Sequence, residues 1–208
     1  LASLDFQRRY EILPFILRVR EELGITVIYV THAIEEVIYL ADQIILLSEG
    51  KVVAQGTVEE IMSRIDLQSI TGRFDAGAVI AAQYSRYDSE FDLGELSFPG
   101  GTLRVSGFDE LSGTPLRAHI RARDVSLMLD KPGNTSVLNV FRGEITEVHA
   151  EAGPHLDLLI DIGTPLIARI TRKSYNDLNL KIGTMVYAMI KAVAIDRRSL
   201  GSPQGEHE

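Results

Sequence analysis

Ile25-Thr26-Val27-Ile28-Tyr29-Val30-Thr31-His32 decides how the first third of this 208-residue chain is read. The run is β-branched and aromatic, which suits a buried parallel strand that delivers Thr31 and His32 at its carboxyl end. Upstream, Phe6, Tyr10, Leu13 and Leu17 recur at helical spacing with arginines between them. This predicts a helix over residues 4–22, with Pro14 removing one backbone donor and Gly24 ending it. Downstream, Ile34, Val37, Ile38 and Ala41 form an apolar stripe over residues 33–41. A strand from Gln43 to Leu47, a turn at Ser48-Glu49-Gly50 and a strand from Lys51 follow. Thr57, three residues ahead of Glu60, predicts a capping box. Helix and strand alternate, the pattern of an α/β layer.

After about Thr71 short alternating segments replace the helices. Strands are predicted at Val79–Tyr84, Gly94–Phe98, Thr102–Val105, Leu116–Arg121 and Val125–Leu129. The turn cluster Lys131-Pro132-Gly133-Asn134 follows. Beyond it come strands at Asn139–His149, His155–Ile162, Pro165–Thr171 and Met185–Lys191, with a short helix near Ser174–Leu178. Many short strands at regular spacing point to a small β-barrel. The change of character places a domain junction near residues 66–77, and the tail from Ser199 is expected to be disordered.

Composition narrows the function classes. A hydrophobic content of 45% supports a buried core. The net charge of -8 lacks the basic footprint of a nucleic-acid binder. There is no cysteine, so disulfides and thiolate metal sites are excluded. No signal peptide and no apolar run of the roughly 20 residues a membrane span needs is visible, so membrane association would go through another subunit. The opening on Leu1-Ala2-Ser3-Leu4-Asp5, without Met, reads as a cut inside a larger protein.

His32 lies where ligands gather in open α/β sheets, beyond the carboxyl end of a strand. A histidine there also serves as a helix cap or fills a polar niche. The surroundings favour the first role. Leu1 to Asp5, Val27 to His32, Glu35-Glu36-Val37, Leu40-Ala41-Asp42 and Gly50-Lys51-Val52-Val53-Ala54-Gln55-Gly56-Thr57 together resemble the end of an ABC-transporter ATPase domain. That resemblance implies that Ser3, Leu4 and Asp5 are the D-loop, facing a second copy of the chain across a nucleotide sandwich. It implies that His32 is the switch histidine at the γ-phosphate. An imidazole N–H there stabilises charge on the transferred phosphoryl group and orients water. Ala33 stands where many members carry Asp. The phosphate-cradling Gly-rich loop, the signature motif and the magnesium-binding Asp with its Glu are not in this chain, so it should not hydrolyse ATP by itself.

A second constellation lies in the β-rich part: Thr135-Ser136-Val137-Leu138-Asn139, Ile170-Thr171-Arg172-Lys173-Ser174 and Ile190-Lys191-Ala192. Hydroxyls in turns usually bond their own backbone, and a lysine is by default solvated. Such a set also suits a tetrahedral dianion, held by hydroxyls and backbone N–H groups with one lysine for charge. Residues 135–197 resemble a molybdate- or tungstate-binding domain of the molbindin (TOBE) type, an OB-like barrel. Ile120 to Leu127 is similar to the lead-in strand of molybdate-importer ATPase subunits. The resemblance implies oxyanion ligands at Ser136, Thr171, Ser174, Lys191 and the backbone of Ala192. Leu138 stands where many such domains carry an arginine, so a bidentate anion donor is missing.

The resemblance therefore implies an α/β, P-loop NTPase-type segment over residues 1–70, then a linker and lead-in β segment over 71–134. The OB-like TOBE barrel covers 135–198 and the disordered tail 199–208. It implies ATP and Mg2+ in the full-length protein, molybdate or tungstate as regulatory ligand, and membrane permease subunits as partners, at the cytoplasmic face of the cell membrane. Sulfate, sugar and polyamine importers also carry TOBE barrels, and a non-enzymatic oxyanion store or sensor is the rival from another class.

Overall fold

The computed structural model describes residues 6–71, 76–150, 153–195 and 200–201, and for residues 6–11, 69 and 71 the backbone alone. The helix expected at the start is α1, Phe6–Leu23, with Pro14 inside it. Helix α2 covers Ile34–Leu40. Strands β1 (Gln43–Ser48) and β2 (Lys51–Thr57) form an antiparallel hairpin. Its two turn residues, Glu49 and Gly50, both have positive φ, 50° and 72°. That backbone matches the twist of the flanking strands. Helix α3, Val58–Met62, opens on the predicted capping box: Thr57 Oγ1 accepts from Glu60 N, and Thr57 N donates to Glu60 Oε2. A short α4 spans Gln68–Thr71.

The expected strand at residues 25–30 is absent. The segment is irregular, with Ile28 89% and Val30 90% exposed. A β-branched run becomes a buried strand only when neighbouring strands satisfy its N–H and C=O groups. Among the described residues no strand pairs with it. The α/β layer is therefore incomplete here, and the first third is helical with one hairpin.

The β-rich remainder is two five-stranded antiparallel sheets. The first contains β3 (Gly77–Asp88), β4 (Leu93–Phe98), β5 (Gly101–Ser106), β6 (Pro115–Arg121) and β12 (Leu200–Gly201), in the order β12-β6-β3-β4-β5. The second contains β7 (Val125–Met128), β8 (Asn139–His149), β9 (His155–Asp161), β10 (Pro165–Thr171) and β11 (Met185–Ile190), in the order β10-β9-β8-β11-β7. A six-residue helix α5, Arg172–Asp177, follows β10. Edge strand β10 packs on β7 and on the 3-10 turn Ala122–Asp124, so the second sheet curls back on itself as a small barrel.

The strands expected between Val79 and Arg121 form as β3 to β6, four of the five strands of the first sheet. One feature corrects the sequence reading: Leu200 and Gly201, expected within a disordered tail, pair with Ala118 and Arg117 of β6. The two sheets exchange their last strands, β7 into the second and β12 into the first.

One core joins both sheets. Leu96, Leu103 and Ile120 from the first meet Ile145, Leu158, Ile160, Leu166 and Ile190 from the second. Asn139, buried on β8, ties the sheets further: its Oδ1 accepts from Arg104 N at 2.7 Å and its Nδ2 donates to Arg104 O at 2.9 Å. Ile160 is fully buried, whereas Ile182 is largely exposed. Ile160→Ala should cost about 2–5 kcal/mol in denaturant unfolding, through lost burial plus a cavity. Ile182→Ala should stay within about 0.5 kcal/mol. Equal effects would contradict this account of the core.

On the outer face of the first sheet, Glu95 accepts from Arg86 Nε at 2.7 Å and Arg104 Nε at 3.1 Å. The Arg86 guanidinium, with help from Arg104, holds the Glu95 carboxyl below the ordinary carboxylate range. A group with a depressed folded pKa stabilises the fold above its unfolded pKa, and that contribution is lost as pH falls through the folded value. Glu95→Gln should therefore destabilise the chain at neutral pH, with the difference closing below the ordinary carboxylate range. Thermal melts at several pH values check this. A gap independent of pH would contradict it.

Candidate functional site

The segment from Tyr29 to Glu36 presents the first candidate. Glu36, in the first turn of α2, is buried, and its Oε2 accepts from Tyr29 Oη at 3.0 Å and from Thr31 Oγ1. Thr31 Oγ1 in turn accepts from Ala33 N at 3.0 Å. One carboxylate thus ties together the residues before and after His32, which is itself exposed. With Glu35 and Glu36 in its first turn, α2 has negative charge where its dipole is positive. Ala33, at the N-cap, is extended and offers no side-chain cap. Arg20 on α1 pairs with Asp42 at 2.9 Å, fixing α1 beside the entry to β1. A cleft of about 370 Å³ lies between α1, residues 25–31 and α2, with Arg20, Tyr29, Thr31 and Glu36 in its wall and His32 outside it. The D-loop candidates Ser3, Leu4 and Asp5 lie outside the described residues.

The second candidate is on the second sheet. Thr171 ends β10 and caps α5, its Oγ1 accepting from Ser174 N at 3.0 Å. The Thr171 and Ser174 hydroxyls lie 2.8 Å apart. Thr171, Ser136 and Lys191 are exposed, Ser174 is half-buried and Ala192 is buried. Asn139 pairs with Ile190 in the β8–β11 ladder, so Ser136–Leu138 enter β8 beside Lys191 and Ala192 as these leave β11. Thr171 ends β10 and Ser174 lies in the first turn of α5 just after it; β10 closes on β7, which borders β11. Among the described residues no carboxylate pairs with Lys191. The hydroxyl pair and the lysine-bearing turn are therefore two clusters, each intact, on strands separated by β7. Among the described residues no group of three or more His, Asp or Glu is placed to hold a metal ion, and no helix is long and apolar enough to cross a membrane.

The sequence reading missed an internal repeat. Gly113-Thr114-Pro115-Leu116-Arg117-Ala118-His119-Ile120-Arg121-Ala122 aligns with Gly183-Thr184-Met185-Val186-Tyr187-Ala188-Met189-Ile190-Lys191-Ala192. Each copy ends a strand and enters a 3-10 turn, Ala122–Asp124 in one and Ala192–Ala194 in the other. The bulge in β3 between Tyr84 and Arg86 likewise matches the bulge in β8 between Ile145 and Glu147. The copies differ where an anion would sit. Ala122 N donates to Ala76 O at 2.8 Å, whereas no backbone carbonyl among the described residues accepts from Ala192 N. Among the described residues, the second copy thus combines an amide that meets no backbone carbonyl with a lysine that pairs with no carboxylate, a combination that suits an oxyanion.

Residues 135–196 match the TOBE domain family. The chain is 40% identical over 97% of its length to the molybdenum import ATP-binding protein ModC of Mesorhizobium japonicum, covering 55% of that protein. It is 41% identical over 94% of its length to ModC 1 of Azotobacter vinelandii, covering 54%. It thus spans about half the length of these relatives. Among solved structures, the cytoplasmic molybdate-binding protein ModG superposes with a TM-score of 0.51 at 21% identity, over 60% of this chain and 95% of that one. At that identity the likeness shows the fold alone. Along nearly all of its own length the chain is similar to the half of molybdenum import ATP-binding proteins that it covers, and residues 135–196 match the TOBE domain family.

Proposed function

We infer that the full-length protein is the ATP-hydrolysing subunit of an ABC importer for molybdate or tungstate. The observation that carries this is the identity of about 40% to molybdenum import ATP-binding proteins along 94–97% of the chain. In this reading residues 6–71 belong to the nucleotide-binding domain, and upstream strands would cover the exposed face of Ile28 and Val30. Two copies sandwich ATP with Mg2+ and act on membrane permease subunits from the cytoplasmic side. His32 meets the γ-phosphate, and Ser3, Leu4 and Asp5 face the second copy. A free-standing oxyanion store accounts for the two sheets but leaves α1, α2 and the β1–β2 hairpin without a role.

The β domain is the oxyanion sensor. Lys191 supplies charge, Ala192 its free backbone N–H, and Ser136, Thr171 and Ser174 supply hydroxyls. Bound oxyanion slows ATP turnover, a coupling between two sites. The isolated chain, in which no phosphate-cradling Gly-rich loop is found, should give no ATP turnover in a phosphate-release assay. Calorimetric titration of this chain with molybdate, tungstate and sulfate tests the sensor. Binding of the first two in preference to sulfate is expected. Equal or tighter sulfate binding would move the reading to another importer.

A further inference from the structure

Asn139 joins the two sheets beside the lysine-bearing turn. It heads β8, pairs with Ile190 of β11, and clasps both the N–H and the C=O of Arg104 on edge strand β5. Strand β5 also packs along the 3-10 turn Ala192–Ala194. The first sheet thus brings Arg104 to the place where Ser136–Leu138 enter β8 and Lys191 leaves β11. Leu103 and Val105 turn into the core, so the Arg104 side chain stands on the outer face, 40% exposed. There it shares Glu95 with Arg86. Arg86 makes two bonds to that carboxylate, at 2.7 and 3.2 Å, whereas Arg104 uses only its Nε, at 3.1 Å. Among the described residues nothing accepts from Arg104 Nη1 or Nη2.

We propose that Arg104 is a further oxyanion ligand, a guanidinium delivered from the first sheet to the site of Ser136, Lys191 and Ala192. This rests on the oxyanion reading of that site given above. Charge calls for such a group. A tetrahedral dianion carries two negative charges, Lys191 supplies one positive charge, and Leu138 supplies none. A planar fork with two unused arms can hold two oxyanion oxygens at once. The move strands no charge. When Arg104 swings away from Glu95, that carboxylate keeps both bonds from Arg86, so the cost of leaving a carboxylate alone does not arise. The backbone stays in place as well, because the Asn139 clasp holds β5 whichever way the side chain turns.

The test measures molybdate affinity of the full-length subunit, without nucleotide, by calorimetry. The proteins compared are the wild type, Arg104→Gln, Arg86→Gln, Lys191→Ala, Leu138→Arg, and Arg104→Gln combined with Leu138→Arg. Arg104→Gln should weaken binding about ten- to a hundred-fold, the loss expected for one charged donor. Arg86→Gln removes the partner with more bonds to Glu95 but no ligand, so affinity should hold. That variant separates ligation from damage to the sheet. Leu138→Arg restores a guanidinium from β8, so it should gain more in the Arg104→Gln background than in the wild type. Wild-type affinity in Arg104→Gln overturns the proposal. So does an equal loss in Arg86→Gln, which would trace the effect to Glu95. If the wild type binds no molybdate, the site reading has failed and Arg104 falls with it. Binding that Lys191→Ala weakens and Arg104→Gln does not would refute Arg104 alone.

Discussion

His32→Ala in the full-length subunit should lower ATP turnover about a hundred- to ten-thousand-fold and leave ATP affinity nearly unchanged. That range is what loss of one positioned proton donor or charge stabiliser costs a transition state. Affinity should survive because, in the proposed reading, nucleotide binding rests on a phosphate-cradling loop other than the segment around His32. The local structure sharpens the expectation. Glu36 holds Tyr29 and Thr31, and Thr31 holds Ala33, so the loop has a scaffold independent of the imidazole. Removing the ring should leave the loop intact, and the loss should fall on kcat. Normal turnover in the mutant would mean that His32 is not the switch.

Lys191→Ala should weaken molybdate or tungstate binding about ten- to a hundred-fold, the equivalent of about 1.5–3 kcal/mol for a charged donor to a desolvated anion. Ser174→Ala should cost less, because a neutral hydroxyl contributes less and its partner Thr171 still caps α5. Leu138→Arg is the sharper variant. Leu138 is exposed and enters β8 beside Lys191, so a guanidinium there has room and adds two donors. Tighter binding in calorimetry is expected. If neither the wild type nor Leu138→Arg binds a tetrahedral oxyanion at millimolar concentration, the barrel is only structural.

Local signals in the sequence located most elements. The Thr57 capping box formed as read, and β8 and β10 run over the residues that alternation marked. What failed depends on distant partners. Ile25 to Val30 has strand chemistry, yet a strand without neighbours has no bonds to make. Leu200 and Gly201 sit in a stretch that reads as a loose tail, and only β6 and α2 give them a place. Arg117 looks like a solvated strand residue until Glu59, 58 positions away, is brought to it. The repeat around Arg121 and Lys191 was legible at a fixed offset, and comparing the two segments would have identified residues 77–121 as a sheet of the same kind. The proposed oxyanion set came from the resemblance; the coordinates add that the Thr171 and Ser174 hydroxyls lie 2.8 Å apart and that Ala192 N meets no backbone carbonyl among the described residues.

Uptake measured in liposomes tests the central claim most directly. The full-length subunit, assembled with its permease subunits and supplied with ATP inside, should drive labelled molybdate inward, and His32→Ala should stop it. Sulfate and sugars should not be carried at comparable rates. ATP-dependent uptake of sulfate or a sugar with none of molybdate or tungstate would contradict the account.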